Sequence, residues 1–297
     1  MSNVPRTFLL ALAISLASGG AFATDRLKPV HLVFDIDWTL VSPLREADIA
    51  LYKGDPRLIE VEGLHYRLSN GADVALRRLL DFNRRLGYDY VKLSFYSGGS
   101  RTRNEALLKK IVIDPVTHKT AFDIAEKVLS FENLKDHFPE LSHEEKKLEF
   151  AERYQKNLGR FFEDLSRTIA IDDTPKFYRG SESKNLLWVG ETYSDFPSFV
   201  AAASAYAKEP TSKYIPPNFT AWFADQNRVL IAELELESAL DSEIRAAERG
   251  KAGATEFRER VRATHARSTK SELVMRLHAA FAEYLEAFCK ALLLKNR

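Results

Sequence analysis

Residues 30–41 read VHLVFDIDWTLV, and the rest of the chain is arranged around them. Val30 to Phe34 is an apolar run with β-branched and aromatic residues, the pattern of a buried strand. It ends in two carboxylates, Asp35 and Asp37, with Thr39 just beyond. In an open α/β sheet, ligands sit outside the carboxyl ends of the strands. Two acids at such a place can hold a hard cation and do chemistry if other strand ends add a phosphate cradle, a lysine and a further acid.

The chain offers those partners. Tyr90 to Tyr96 reads as a second strand and runs into Ser97, Gly98, Gly99 and Ser100. Thr168 to Ile171 reads as a third and ends in Asp172, Asp173, Thr174 and Pro175. Leu186 to Val189, before Gly190, is a fourth, and 127–131 a short further one. Between them, Val74, Leu76, Leu79, Leu80, Phe82 and Leu86 recur at helical spacing over 72–86, with Gly87 as C-cap. A helix from about Arg101 through Ile111 ends before Asp114-Pro115. Strands alternating with helices predict an α/β fold, a three-layer, doubly wound, mostly parallel sheet.

Around this frame, residues 44–70 read as loop and short strands, a small strand-rich insert in which Gly63 allows a hairpin or bulge. The charged run HEEKKLEF predicts a solvated helix with Ser142 as N-cap and Glu145 closing a capping box, reaching about Asn157. Residues 191–225 are rich in proline and aromatics and read as loop. From Asn227 the pattern is helical, with Gly250 and Gly253 as punctuation and a last amphipathic helix over about 270–294. The expected division is a leader over 1–23, a catalytic domain over 24–225 and a helical C-terminal extension over 226–297.

The leader carries Arg6, an apolar stretch from Phe8 to Ala17, helix breakers at Ser18, Gly19 and Gly20, and the small-x-small triplet Ala21-Phe22-Ala23. That is the grammar of a secretory signal cleaved after Ala23, and the stretch is short for a membrane span. The implied product is secreted across the inner membrane, and periplasmic in a Gram-negative cell.

Composition narrows the function. A formal net charge of +1 does not suit bulk nucleic-acid binding. The single cysteine, Cys289, excludes an intramolecular disulfide and any cysteine-cluster metal site. The seven histidines are scattered, with no metal-ligand spacing. No G-x-S-x-G occurs, so Ser/His/Asp hydrolysis has no support.

The strand-end clusters suit phosphoryl transfer through a carboxylate nucleophile. Asp35 fits the nucleophile and Asp37 the general acid and base. Thr39, Ser97, Gly98 and Lys156 can hold phosphoryl oxygens, with Lys127, Lys146 and Lys147 as rival lysines. Asp172 and Asp173 complete an acidic set for a hard cation. The bland alternatives are loop-solvated acids, a serine that only caps a helix, and a turn pair before Pro175.

Here the sequence resembles the haloacid dehalogenase superfamily of phosphatases. Asp35, Asp37 and Thr39 match its DxDx(T/V) motif, KLSFYSG its second motif at Ser97, and TIAIDD its fourth. Within the superfamily the chain is similar to the NIF-like and small C-terminal-domain phosphatases. YQKNLGRFFEDLSRTIAIDDTPKFY places Lys156 16 positions before Asp172, the interval of that group. The resemblance covers about residues 30–200. It implies a Mg²⁺-dependent phosphomonoesterase with an aspartyl-phosphate intermediate. The metal would be held by Asp35, the Asp37 backbone carbonyl and Asp173, with Asp172 held by Lys156.

Two departures stand out. The group usually has Asp-Asn where this chain has Asp172-Asp173, which leaves open which acid binds metal directly. Trp38 is bulky where acidic or small residues are common, and either walls the pocket or packs. No long insert follows the first motif, so an open site is expected, admitting phosphoprotein segments as well as small phosphorylated molecules. Competing readings are a fold retained for binding or assembly, including a homodimer through the C-terminal helices, and a class B-like acid phosphatase of the periplasm acting on small nucleotides.

Overall fold

A computed structural model describes residues 26–135 and 144–268. The expected leader, the Ser142 cap and the 270–294 helix lie outside the described residues. At the centre is a five-stranded, all-parallel sheet in the order β10-β9-β1-β5-β8. Its strands are β1 (Val30–Phe34), β5 (Val91–Tyr96), β8 (Ala125–Leu129), β9 (Thr168–Asp172) and β10 (Leu186–Trp188). The expected α/β architecture with a mostly parallel sheet is therefore present.

Alternate residues of the central strands feed two separate cores, because side chains in a strand point to opposite faces. Leu32, Phe34, Leu93, Phe95, Ile169 and Ile171 face the larger core. Val33, Tyr96 and Ala170 face the smaller one. Helix α1 (Ala72–Leu86) covers the larger face, buries Leu76, Leu79 and Phe82, and stops at Gly87 in the left-handed conformation. Helix α2 (Arg101–Lys110) follows β5. The smaller face is covered by short turns rather than long helices, with Leu134, Leu158, Phe162, Phe177 and Tyr178 as its packing residues.

The insert after β1 is a three-stranded antiparallel sheet of β2 (Val41–Pro43), β3 (Leu58–Val61) and β4 (Leu64–Leu68). Glu62 and Gly63 form a two-residue hairpin loop with φ of 52° and 75°. Two positive φ values in such a loop suit the right-handed twist of the flanking strands. A further small pair, β6 (Val112–Asp114) and β7 (Lys119–Thr120), lies between α2 and β8.

Two expectations change. The described part of the charged run holds a 3-10 turn at Glu145–Lys147 and one helical turn at Phe150–Arg153, not a helix reaching Asn157. Glu149 and Glu152 form the capping box there. The run lacks an apolar stripe long enough to stabilise more turns by burial. Within 191–225 the chain forms α3 (Phe199–Lys208) and α4 (Phe219–Gln226), capped by Ser198 and Asn218. Pro197 and Pro217, read as loop signals, directly precede those caps. The helical segment expected from Asn227 begins with α5 (Arg228–Glu248), whose Val229, Leu230, Leu234, Leu236 and Leu240 sit in the same core as the sheet. Helix α6 (Phe257–Arg267) adds Phe257 and Val261. Among the described residues no helix is long and apolar enough to cross a membrane.

Candidate active site

Register puts the motifs together. Phe34 lies beside Phe95 on one side and Ile171 on the other. The next residues, Asp35, Tyr96 and Asp172, therefore share one level at the carboxyl edge of the sheet. Ser97 and Asp173 follow one step further out. Asp35 is held there by its backbone N–H, which donates to the Ile171 carbonyl at 2.9 Å.

Lys156 reaches this edge from an irregular stretch before β9 and is fully buried. Its Nζ donates to Asp35 Oδ1 at 2.8 Å and to Asp172 Oδ2 at 2.6 Å. Phe177 lies against the ammonium, with its ring centroid 4.7 Å from Nζ. The rival lysines go elsewhere: Lys147 pairs with Glu144 at 2.8 Å, Lys127 lies over the Phe162 ring, and Lys146 is exposed. Burial alone would pull the Lys156 pKa down, but Asp172 and Asp35 outweigh it and hold it above the ordinary value.

Asp35, Asp172 and Asp173 form a compact acidic cluster, with one carboxylate oxygen from each lying within 4.8 Å of the other two. Asp172 is the most engaged. Its Oδ2 also accepts from Tyr178 Oη at 2.9 Å, and its Oδ1 from the Thr174 N–H at 2.7 Å. Asp173 accepts from the hydroxyls of Thr192 and Thr174. Asp35 Oδ2 has no hydrogen-bond partner among the described residues. Burial, followed by repulsion from Asp172, pushes Asp173 up to about 6. Burial and the other three carboxylates likewise raise Asp35, against the pull of Lys156. Several buried carboxylates against one lysine fit a hard divalent cation of the Mg²⁺ type.

The Asp37 carboxylate lies outside that cluster. Arg103 clamps it from α2, with Nη1 on Oδ1 at 2.5 Å and Nη2 on Oδ2 at 2.6 Å. Ser97 Oγ donates to the same Oδ2 at 2.6 Å. Burial pushes the Asp37 carboxyl up, but the Arg103 and Ser97 contacts outweigh it and hold it below the ordinary value. The Ser97 hydroxyl, expected to hold phosphate, is thus turned to Asp37. Gly98 lies under Phe150, where a Cβ would come within 2.8 Å of the ring. Thr39 is fully buried, and its Oγ1 has no hydrogen-bond partner among the described residues.

Trp38 stands between Asp37 and Thr39. It is half-buried and walls a small cleft with Pro43, Leu44, Arg45, Asp48, Ser194 and Asp195, and this cleft holds none of the candidate site residues. Its φ of 59° lies in the left-handed region, which costs a side-chain-bearing residue ~1–2 kcal/mol. The conformation is fixed from both sides. Trp38 N–H donates to the Val41 carbonyl at 2.7 Å, and the Trp38 carbonyl accepts from Arg228.

Arg103, Tyr178, Thr192 and Arg228 were not among the residues that sequence reasoning selects. Only Arg103 carries a local signal. It stands three residues after the N-cap Ser100, and long side chains there fold back toward the helix N-terminus and the Gly98-Gly99 turn.

No protein-family model matches the chain, and no curated protein does. Among solved structures, similarity is found to the RNA polymerase II CTD phosphatase Fcp1 of fission yeast bound to beryllium fluoride. The identity is 16%, the TM-score 0.44, and the match spans 78% of this chain and 70% of that one. A second Fcp1 structure gives 18% identity and a TM-score of 0.42, over 78% and 69% of the two chains. Likeness at this level adds nothing to the chemical argument. Three motif segments and one buried lysine meet at a single edge of the sheet.

Proposed function

We propose that the protein is a Mg²⁺-dependent phosphomonoesterase with Asp35 as nucleophile. The observation that carries this reading is the convergence of Asp35, Lys156, Asp172 and Asp173, with Asp37 and Ser97 alongside. Asp35 Oδ2 attacks phosphorus while the bond to the ester oxygen breaks, giving an aspartyl-phosphate. Asp37, ionised in the resting site, passes to the leaving oxygen the proton carried in by the ester monoanion. It then accepts a proton from water, which attacks the same phosphorus and releases phosphate and the free Asp35 carboxylate. Lys156 offsets phosphoryl charge and holds Asp172 in place. The Thr39 hydroxyl gains a partner in a phosphoryl oxygen. Asp35 and Asp173 are the carboxylate ligands best placed for the cation, since Asp172 is already taken by Lys156, Tyr178 and Thr174. A bound Mg²⁺ would supply positive charge to offset that of the phosphoryl oxygens.

The substrates we propose are phosphorylated small molecules or phosphoprotein segments. Phe150, exposed beside Gly98, would border the entry of such a segment. Export follows from the leader grammar of residues 1–23, and mass spectrometry of secreted protein should find Thr24 at the N-terminus.

The deciding experiment is hydrolysis of 4-nitrophenyl phosphate by the purified chain with Mg²⁺, with chelator, and with Asp35→Asn. Turnover that needs both metal and Asp35 supports the reading. Turnover indifferent to Asp35→Asn removes the mechanism, and no turnover on any phosphate ester favours a binding role.

A further inference from the structure

We propose that Arg103 is a positioning residue for Asp37, fixing the one direction from which that carboxylate exchanges a proton. The inference rests on the phosphomonoesterase reading above and extends it to which leaving groups the site can handle.

An ionised carboxylate offers about four lone-pair positions. On Asp37 three are taken: Arg103 Nη1 on Oδ1, and Arg103 Nη2 and Ser97 Oγ on Oδ2. The open position is on Oδ1. The Asp37 side chain is 27% exposed, so it has an open side by which a substrate can approach. A bidentate guanidinium holds the carboxylate plane as well as its charge.

The clamp is itself braced. Arg103 Nη2 and Nε donate to Asn104 Oδ1 at 2.7 and 3.2 Å. Asn104 is fully buried and donates to the Gly99 carbonyl and Ser130 Oγ, both at 3.0 Å. The guanidinium also lies 5.7 Å from the ring centroid of Tyr66, a buried residue of the insert. Strand β4 thus reaches the catalytic edge through Arg103.

Gly99 makes room for this arrangement. A Cβ there would stand 2.0 Å from Arg103 Nη2 and 2.4 Å from Cζ. Gly99 is not in the left-handed region, so its backbone admits alanine. Gly99→Ala therefore evicts the guanidinium without altering Arg103.

Orientation of Asp37 matters in proportion to how much the leaving oxygen needs a proton. 4-Nitrophenolate leaves as a stable anion, whereas an alkoxide does not. General acid catalysis contributes about 10²–10⁴-fold where it is needed.

The test is steady-state kinetics of the full chain with Mg²⁺ on 4-nitrophenyl phosphate and on 2-phenylethyl phosphate. Wild type is compared with Arg103→Met, Arg103→Lys and Gly99→Ala, and inhibition by inorganic phosphate is measured for each. Loss of positioning lowers kcat on the alkyl ester by about 100-fold and on the nitrophenyl ester by less than about 5-fold. Phosphate inhibition stays unchanged, and lysine does not restore alkyl turnover. An equal fall on both esters overturns the inference, as does a matching loss of phosphate inhibition, which would make Arg103 a phosphate ligand. A wild-type chain inactive on both esters overturns the phosphatase reading and this inference with it. An active wild type with unbiased variants overturns this inference alone.

Discussion

Arg228 donates a hydrogen bond to the carbonyl of Trp38, 190 positions earlier in the chain. The same guanidinium reaches the Glu191 carbonyl at 3.2 Å and pairs with Asp225. One buried arginine at the start of α5 therefore ties together the DxD loop, the loop after β10 and the end of α4. Helix α5 is thus a structural part of the edge that carries the candidate site.

Arg228→Met should be among the costliest single changes. It leaves Asp225, 8% exposed, without its cation, a loss of about 3–5 kcal/mol for a broken buried pair. Urea unfolding measures this, and the double variant Arg228→Met with Asp225→Leu should recover part of it. Both variants should lose turnover, because the Trp38 carbonyl loses its partner in each.

The acid cluster makes metal-free stability depend on pH. Asp173 titrates at about 6 in the fold, against an ordinary 3.8. The native state thus holds this proton more tightly than the unfolded chain, and stability falls as pH rises from about 4 through 6. The full effect is roughly 3 kcal/mol. Urea midpoints in chelator should be higher at pH 4.5 than at pH 7.5. Asp173→Asn should reduce that difference, with the raised Asp35 keeping part of it, and Mg²⁺ should restore stability to wild type at pH 7.5 but far less to the variant.

Asp35→Asn should abolish aryl phosphate turnover while leaving the far-ultraviolet circular dichroism unchanged. Asparagine keeps an acceptor for Lys156 and removes one of the crowded charges. A variant that unfolds instead would show that the Asp35–Lys156 charge pair is needed for the fold.

A second buried network holds the opposite end of β1. Glu243, 1% exposed, accepts from Arg167 at 2.7 Å and from Tyr90 Oη at 2.6 Å. Arg167 also donates to the carbonyls of Lys28 and Pro29. Glu243→Ala leaves that arginine buried without its partner and should cost about 3–5 kcal/mol in urea unfolding. Because the network lies away from Asp35, kcat of the folded fraction should not change.

The strands and α1 were legible because burial wrote them plainly. Val30 to Phe34 and Thr168 to Ile171 are apolar on both faces, and 72–86 has a clean stripe closed by glycine. The acids at their ends could be read for the same reason, since a charge directly after such a run has to lie at a sheet edge. Lys156 needed the spacing to Asp172, because its own segment has no periodicity. What escaped was held by distance or by misleading punctuation. Arg228 acts across 190 positions, and no local pattern announces a bond to a backbone carbonyl. Helices α3 and α4 hid behind prolines that precede their caps.

Lys156 and the acids do not stand on equally firm ground. The acids follow β1 and β9, two of the three inner strands of the sheet, whose amides should exchange with solvent only on global unfolding. Lys156 rides on an irregular stretch whose backbone N–H is tied to the Phe177 carbonyl, itself part of a short turn. A sub-global opening of this stretch would carry away the anion's counter-charge and leave three carboxylates in place. In mild denaturant the molecule would then pass through a state that has lost its grip on phosphate but still binds cations. Its capacity for metal should outlast its chemistry.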